Sequence, residues 1–120
     1  MKALLDTNIL IDYLNGIEAA RTEIGRYKQP CISPITWMEL MVGVAVEDEA
    51  VVRQFLAAFS QVAIDEEIAE RAVTIRRLHR IRLPDAVIWA SAQSEDALLV
   101  TRNSKDFPPD EPGVRVPYTL

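Results

Sequence analysis

The chain has 120 residues, of which 49% are hydrophobic, and 13 basic against 18 acidic side chains give it a net charge of −5. This composition predicts one globular domain over residues 1–120 and excludes a disordered chain. The acidic balance argues against a protein that holds nucleic acid passively on a basic surface. It does not exclude an enzyme whose carboxylates recruit cations, and it leaves room for a basic partner. A single cysteine, Cys31, fits a reducing compartment, and no apolar run is long enough to span a membrane. We therefore expect a cytoplasmic protein with no membrane partner.

Short apolar runs alternate with helical patterns along the chain. In chain order, the predicted segments are a strand at Lys2–Leu5, helices at Asn8–Leu14 and Ile17–Tyr27, a strand at Pro30–Ile32, helices at Ser33–Val42 and Glu47–Phe59, a strand at Gln61–Ile64, a helix at Glu66–Arg80 capped by Asp65, a break at Leu83–Asp85, a helix at Ala86–Ser94, and strands at Leu98–Thr101 and Val114–Val116. This alternation predicts an α/β fold in which a short, mostly parallel sheet is covered by helices on both faces.

Four acidic residues stand in contexts that favour an active site. Asp6 follows the first predicted strand, and Asp106 lies in the loop after the strand that ends at Thr101. Asp85 stands at a helix start, and Glu39 lies in an otherwise apolar helix. An α/β sheet places its site at the carboxyl ends of parallel strands, and hard divalent cations select carboxylate oxygens. The sequence therefore predicts an acidic pocket that binds a cation such as Mg²⁺.

Each carboxylate also has a purely structural interpretation. Asp6 and Asp85 are good helix N-cap residues, and Asp106 could be an ordinary loop residue. Glu39 is harder to explain in this way, because apolar neighbours one turn away on both sides place it on an apolar stripe of its helix. Burial of an unpaired carboxylate there is costly unless a cation or a polar cluster compensates it. The alternative is that Glu39 faces solvent at a subunit edge.

The remaining composition excludes several other kinds of site. His79 is the only histidine, which excludes a ribonuclease that uses two histidines as acid and base, and its helical spacing from Ile68 and Ile75 predicts a packed ring. No glycine-rich phosphate loop occurs, and the cysteine and histidine content is too low for a zinc site.

A basic segment follows the middle of the chain. Five arginines and no acid occur between Arg71 and Leu83. Arg76, Arg77 and Arg80 project to one side of the predicted helix, where they could bind RNA phosphates. The alternative is an ordinary solvated helix face.

Four segments, taken in order, resemble the four motifs of PIN-domain ribonucleases. They are Leu4-Leu5-Asp6-Thr7-Asn8, Thr36-Trp37-Met38-Glu39-Leu40, Leu83-Pro84-Asp85-Ala86, and Thr101-Arg102-Asn103-Ser104-Lys105-Asp106-Phe107. The length and the last motif are similar to those of VapC-type toxins of bacterial type II toxin–antitoxin systems. The resemblance implies a three-layer α/β/α PIN-like domain and a metal-dependent endoribonuclease. Metal-activated water would hydrolyse an RNA phosphodiester and leave a 5′-phosphate and a 3′-hydroxyl.

The resemblance also implies a role for individual residues. Asp6 and Asp85 would bind Mg²⁺ or Mn²⁺ directly, and Glu39 would complete the pocket directly or through water. Asp106 would supply the fourth acid, although many members of the family carry that acid at the position of Asn103. The polar residues that would orient these ligands through hydrogen bonds are Thr7, Ser33, Thr101 and Asn103.

The implied partners are RNA and a cognate antitoxin whose tail would cover the acidic pocket. The resemblance further implies a homodimer and a toxin–antitoxin hetero-oligomer. Apolar side chains in three places offer a partner surface, with core packing as the alternative. They are Leu10, Ile11, Tyr13 and Leu14; Trp37, Met38 and Met41; and Phe55, Leu56 and Phe59.

Three other functions compete with this interpretation. The chain could be a catalytically silent nuclease-like module that only binds a partner. It could be a signalling receiver domain, in which a phospho-acceptor Asp at a strand end lies beside Mg²⁺, although Glu39 would then have no role. A DNA flap nuclease of related fold is the third, but the chain lacks the insertions with which those larger enzymes hold branched DNA.

Overall fold

The computed structural model describes all residues from 1 to 120 and contains five strands and six α-helices. The strands are β1 (Ala3–Leu5), β2 (Cys31–Ile32), β3 (Ser60–Gln61), β4 (Leu98–Val100) and β5 (Val114–Arg115). The helices are α1 (Thr7–Leu14), α2 (Glu18–Gly25), α3 (Pro34–Gly43), α4 (Glu49–Leu56), α5 (Glu66–His79) and α6 (Leu83–Ser94). A 3₁₀ turn over Val46–Asp48 leads into α4. None of these helices has the length and apolar character needed to cross a membrane.

The strands form one sheet in the order β3-β2-β1-β4-β5, and every neighbouring pair is parallel. In this register Leu4 of β1 lies opposite Cys31 on one side and Leu99 on the other. The predicted parallel sheet is therefore confirmed. Because all strands run the same way, the residues that follow them meet at one edge of the sheet, where an α/β fold forms its site.

Two separate cores cover the two faces of the sheet. Side chains alternate along a strand, so Leu4 packs into a core that includes α5 and α6, whereas Ala3 and Leu5 pack into a core that includes α1, α3 and α4. Leu99 and Val100 divide between the two cores in the same way. Burial on both faces explains why these strands are continuous apolar runs. The predicted three-layer architecture is confirmed.

Three of the helices begin at side-chain caps. A carboxylate oxygen of Asp6 accepts the Thr7 N–H at 2.8 Å, Ser33 Oγ accepts the Ile35 N–H at 3.1 Å, and Asp65 Oδ1 accepts the Ile68 N–H at 2.9 Å. These bonds satisfy backbone donors that have no partner within the helix. The caps at Ser33 and Asp65 agree with the predicted starts of α3 and α5. The cap at Asp6 begins α1 at Thr7, one residue before its predicted start.

The start of α6 differs from the prediction. Leu83–Asp85 is not a break, because α6 already begins at Leu83 and its N-cap position is Arg82. Pro84 is tolerated in the first turn, where a backbone N–H has no helical acceptor to lose. Asp85 therefore does not cap the helix. Its side chain instead accepts a hydrogen bond from Arg82 Nε at 3.3 Å.

Several predicted boundaries were also wrong. The strand expected at Gln61–Ile64 is β3, which covers only Ser60–Gln61. The Val62 N–H still bonds to the Ile32 carbonyl at 3.0 Å, but the chain then leaves the sheet, and Ile64 is 41% exposed. The helix expected at Glu47–Phe59 is shortened to α4 by the preceding 3₁₀ turn, and α2 ends at Gly25, before the predicted Tyr27.

Cys31 and His79 show how well the sequence predicts the packing of individual side chains. Cys31 is buried, as its apolar neighbourhood predicts. His79 packs its ring against Trp89, with centroids 4.7 Å apart, but the residue as a whole is exposed. The prediction that the His79 ring is packed is therefore only partly correct, because His79 is the last residue of α5 and only one face of its ring is covered.

Candidate active site

The site begins where two neighbouring central strands end. Asp6 directly follows β1, and Thr101 directly follows β4. The Thr101 hydroxyl donates a hydrogen bond to Asp6 Oδ2 at 2.8 Å, and both residues are buried. Asn8 Nδ2 donates to the same carboxylate oxygen at 3.2 Å. The parallel pairing of β1 and β4 thus brings together polar residues that are 95 positions apart in the sequence.

The surroundings of Asp6 disfavour the charged form of its carboxyl group. Burial raises the pKa of its carboxyl from 3.8 to about 6, against the opposing effect of the hydrogen bonds from Thr101 and the Thr7 amide. The nearby carboxylates of Asp85 and Glu39 raise this pKa further. A buried acid that also feels two like charges is a site at which a cation would be stabilising.

Glu39 reaches the pocket from α3, but it is exposed rather than buried. The expected burial was wrong because the apolar stripe of α3 is covered only at Ile35, which packs partly against the core, whereas Val42 is 86% exposed. Glu39 is instead held by Thr7, whose hydroxyl donates to Oε1 at 2.6 Å. The hydroxyls of Thr7 and buried Thr36 lie 3.0 Å apart, so the side chain that orients Glu39 is itself held by the same helix.

Asp85 lies in the first turn of α6 with its side chain 9% exposed. Burial raises the pKa of its carboxyl, and the neighbouring Arg82 guanidinium opposes this shift. The charges of Glu39 and Asp106 raise the pKa further. The charges of Asp85 and Glu39 thus act on Asp6, and those of Glu39 and Asp106 act on Asp85, near the carboxyl edge of the sheet.

The fourth motif forms a loop that is closed by its own side chains. The Asn103 amide donates to Asp106 Oδ2 at 3.0 Å, and the Asp106 N–H donates to Asn103 Oδ1 at 3.2 Å. The Asn103 N–H donates to Thr101 Oγ1 at 3.0 Å, which connects this loop to the hydroxyl that binds Asp6. Asn103 therefore orients Asp106, the arrangement expected if Asp106 supplies the fourth acid.

Ser33 lies outside this hydrogen-bonded group. Its buried hydroxyl accepts the Ile35 N–H and forms no hydrogen bond with any of the four carboxylates. Its contribution is to begin α3, the helix that carries Glu39.

The arginines proposed to bind RNA lie at the end of α5. Arg76, Arg77 and Arg80 are exposed, and none of them forms a salt bridge. Arg80 ends the helix in a left-handed conformation, with φ of 57°. The chain then passes through buried Ile81 into α6, so only a few residues of sequence separate Arg80 from Asp85.

A metal site must be judged from the donors that are present. No three acidic, histidine or cysteine side chains lie close enough together to form a preformed ligand cluster. Mg²⁺ typically takes only one or two carboxylates and keeps several waters, so this spacing still fits it. Asp6 and Asp85 are the best donors, because both are buried and both have pKa values raised by burial and by neighbouring carboxylates.

The sequence did not reveal three residues of this site. Asn8 joins the pocket to the fourth motif, because its amide donates to Asp6 while its Oδ1 accepts the Arg102 N–H at 3.1 Å. Its place directly after Asp6-Thr7 was the available signal. Arg82 forms a salt bridge with Asp85, three residues later, at the start of α6. The predicted helix start at Ala86 left both residues outside the helix, so this i,i+3 pair was not expected. Thr36 gave no signal beyond its place one turn before Glu39.

Comparison with known proteins identifies the class of fold. The model of the PIN domain family matches residues 3–108. The chain is 36% identical over 113 residues to ribonuclease VapC10 of Mycobacterium tuberculosis, covering 88% of this chain and 85% of that one. It is 30% identical over 124 residues to ribonuclease VapC19 of the same organism, covering 96% and 98%.

Solved structures give the same result. A toxin–antitoxin complex from Klebsiella pneumoniae contains a chain that is 44% identical, with a TM-score of 0.93 and coverage of 98% of this chain and 99% of the other. DNA-bound VapBC from Salmonella typhimurium is similar at 30% identity, with a TM-score of 0.78 and 96% coverage of both chains.

The chain therefore belongs to the PIN-domain family. Within that family, the relatives described above that share at least 30% of its sequence are VapC ribonucleases and chains of toxin–antitoxin complexes.

Proposed function

We infer that this chain is the toxin of a toxin–antitoxin pair and an endoribonuclease that hydrolyses RNA with the help of Mg²⁺ or Mn²⁺. The observation that carries the proposal is the acidic pocket, in which burial and the charge of exposed Glu39 raise the pKa values of buried Asp6 and Asp85. The similarity to VapC ribonucleases over most of the chain supports the same reaction.

Each acidic residue has a distinct task in this proposal. Asp6 and Asp85 would hold the cation, while Thr101 and Asn8 keep the Asp6 carboxylate in one orientation. Glu39, fixed by Thr7, and Asp106, fixed by Asn103, would orient water at the open side of the pocket. When bound, the cation supplies Lewis acidity that activates water and offsets the charge that grows on the phosphate.

The reaction is expected to be in-line attack of water on an RNA phosphodiester. The phosphorus–oxygen bond to the 3′-oxygen breaks, so the products are a 5′-phosphate and a 3′-hydroxyl. The residues of this chain position the phosphate and the water, and positioning together with charge stabilisation accounts for most of the rate of phosphoryl transfer.

Asp85→Asn should reduce RNA cleavage by about 1,000-fold, because a lost cation forfeits several kcal/mol of transition-state stabilisation and each 1.36 kcal/mol is a factor of ten. Purified protein would be incubated with total cellular RNA in Mg²⁺, Mn²⁺ or EDTA. Asp110→Asn is the matched control, because Asp110 is exposed in a loop and makes no side-chain hydrogen bond. Discrete products should appear with either metal, and Asp85→Asn and EDTA should each remove them.

The alternative of a silent binding module predicts a different result. Folded, antitoxin-free protein that cleaved no RNA with either metal, while still binding its antitoxin, would reject the nuclease. Cleavage that persisted in Asp85→Asn would reject the assignment of the pocket. The receiver-domain alternative is disfavoured by topology, because receiver sheets have the order 2-1-3-4-5 whereas this sheet has the order 3-2-1-4-5.

We also propose that Arg76, Arg77 and Arg80 bind RNA phosphates. They carry three unpaired positive charges beside an otherwise acidic protein, at the end of α5 that leads into α6. Arg76→Ala with Arg80→Ala should weaken RNA binding and reduce the slope of log K against log salt by about 1.4, since each phosphate contact on a single strand contributes about 0.7. The measurement is fluorescence anisotropy between low and moderate salt. An unchanged slope would identify these residues as an ordinary solvated face.

We further propose a cognate antitoxin, a homodimer and a toxin–antitoxin hetero-oligomer as partners. The chains similar to this one come from toxin–antitoxin complexes. Core packing accounts for Leu10, Leu56 and Phe59, which are buried. Other members of the predicted apolar clusters remain accessible, since Ile11, Leu14 and Met38 are 40–46% exposed. These side chains are the surface on which we expect a protein partner.

A further inference from the structure

Arg82 stands at the edge of the acidic pocket in an unequal ion pair. Its Nε donates to Asp85 Oδ2 at 3.3 Å, which is the only hydrogen bond that this guanidinium makes. The Asp85 side chain is 9% exposed, whereas that of Arg82 is 73% exposed. The carboxylate is thus fixed inside the pocket, and the arginine approaches it from the solvent side.

This contact leaves most of the guanidinium free. An arginine has five N–H donors arranged as a planar fork, and only Nε is used here, at the long end of the hydrogen-bond range. A partly exposed pair of this kind contributes little to stability and is easily broken. The backbone position of Arg82 is nevertheless well defined, because it immediately precedes the first turn of α6 that carries Asp85.

The charges around Arg82 explain why it rests there. Asp85 lies near Glu39 and Asp106, and Asp6 feels both Asp85 and Glu39, so the pocket concentrates negative charge. Arg82 is the one cationic side chain that forms a salt bridge with any of these four acids. Arg82 therefore neutralises, from the solvent side, part of the negative charge that a divalent cation would neutralise inside the pocket.

We propose that Arg82 is an exchangeable counter-ion: it pairs with Asp85 while the pocket lacks a divalent cation, and it binds an RNA phosphate once the cation neutralises Asp85. The proposal rests on the function inferred above. Once Asp85 is neutralised, the strongest negative charge within reach of Arg82 is the RNA backbone that enters the pocket. The free N–H groups of a guanidinium suit bidentate binding of phosphate oxygens.

Two consequences separate this role from that of an ordinary surface ion pair. Removal of the guanidinium should make divalent cations bind more tightly, because they no longer compete with it for Asp85. The same change should weaken RNA binding, but only when a cation is present. A residue that merely stabilises the helix start would produce neither effect.

The first measurement is Mn²⁺ binding without RNA, by isothermal titration calorimetry, on the wild-type protein, Arg82→Gln and Arg71→Gln. Arg71 is the matched control because it forms a similar helical salt bridge with Glu67 on α5, at 3.2 Å, and its loss changes the net charge equally. We expect Arg82→Gln to bind Mn²⁺ about two- to fivefold more tightly than wild type, the range expected when one partly exposed ion pair no longer has to be broken. Arg71→Gln should match wild type.

The second measurement is the binding of a mixed-sequence single-stranded RNA, in EDTA and in Ca²⁺. Ca²⁺ takes a larger and more flexible oxygen shell than the octahedral Mg²⁺, so it should hold RNA with little hydrolysis, and a gel would verify that the RNA is intact. In Ca²⁺, Arg82→Gln should weaken binding and lower the salt slope by about 0.7, the contribution of one phosphate contact. In EDTA it should have no effect. Arg82→Lys keeps the charge without the fork and should recover only part of the affinity.

The outcomes are distinct. Equal Mn²⁺ affinity in wild type and Arg82→Gln would overturn the counter-ion role while leaving the nuclease proposal intact. Tighter Mn²⁺ binding with unchanged RNA binding would overturn the transfer of Arg82 to phosphate. A wild-type protein that bound no Mn²⁺ and cleaved no RNA would overturn both this inference and the function on which it rests.

Discussion

Asp6→Asn should abolish metal-dependent RNA cleavage and, in the metal-free protein at pH 7, raise the free energy of unfolding. The second effect follows from the raised pKa of Asp6, which is about 6 in the folded protein against an ordinary 3.8. The difference of about two pKa units corresponds to about 3 kcal/mol of destabilisation once the group is charged in both states. Asn keeps the shape without the charge, so about 1–3 kcal/mol should be regained.

The pH dependence gives this prediction its sign. Because the folded protein holds the Asp6 proton more tightly than the unfolded chain, wild-type stability should fall as pH rises from about 4 through about 6. Below about pH 4 the carboxyl is protonated in both states, so Asp6→Asn and wild type should differ little. Urea unfolding in EDTA between pH 4 and 8 would measure the difference, with Asp110→Asn as the control for a charge removed from the surface.

Added Mn²⁺ extends the test. A cation that binds only the folded protein raises its stability by mass action, so wild type should recover part of the difference in Mn²⁺, whereas Asp6→Asn should respond weakly. Wild type that was already the more stable protein at pH 7 in EDTA would contradict the account of Asp6 as a destabilising site residue. Such a destabilising charge is the usual consequence of building a site from buried acids.

The sequence predicted the layers of the fold and drew attention to four acids as candidate site residues, because both depend on local patterns. Apolar runs between helical segments are sufficient to predict a parallel sheet. Asp6 was visible because it directly follows a strand, and Asp85 because it stands at a helix start. Asp106 stood out in the loop after a strand, and Glu39 as the one acid in an otherwise apolar helix. The burial expected for Glu39 was wrong, since the residue is exposed and its carboxylate accepts a hydrogen bond from Thr7; its role in the pocket stays a prediction.

The contacts that fix the site geometry could not be predicted in the same way, because they join distant parts of the chain. Buried Asp12 and Glu23 gave no sign of their role, since their partners Arg102 and Arg115 lie 90 and 92 residues away. Thr101 was expected to assist the site, but its bond to Asp6 depends on the register of β1 and β4. Side-chain pairing across a sheet is set by tertiary structure, which a single sequence does not contain.

Arg102→Ala is expected to cause the largest loss of stability among these substitutions. Asp12 is 3% exposed and accepts hydrogen bonds from Arg102 Nε at 2.7 Å and Nη2 at 3.1 Å, and from the Tyr118 hydroxyl at 2.8 Å. Removal of one partner of a buried pair costs about 3–5 kcal/mol, and partial exposure of the guanidinium reduces the expected loss to about 2–4 kcal/mol. Arg53→Ala is the matched control, because the exposed Arg53–Glu49 pair should be worth less than about 1 kcal/mol.

A double-mutant cycle would separate the pair from its surroundings. Asp12→Asn in the Arg102→Ala background removes the uncompensated buried charge, so the double variant should unfold at a higher urea concentration than Arg102→Ala alone. The expected coupling energy is about 1–3 kcal/mol. Additive losses in the two single variants would show that Arg102 stabilises the fold by packing rather than by neutralising Asp12.

The same substitution should also slow cleavage, because Arg102 connects the buried ion pair to the active site. Its backbone N–H donates to Asn8, and the Asn8 amide donates to Asp6, while the preceding residue, Thr101, donates to Asp6 through its hydroxyl. If the guanidinium anchors this loop, Arg102→Ala should lower kcat under conditions in which the variant remains folded. Tyr118→Phe removes only one hydrogen bond from Asp12, worth about 1–2 kcal/mol, and should leave kcat near that of wild type. Unchanged kcat in folded Arg102→Ala would show that the ion pair contributes to stability but not to catalysis. Thr101 and Asn8 alone would then orient Asp6.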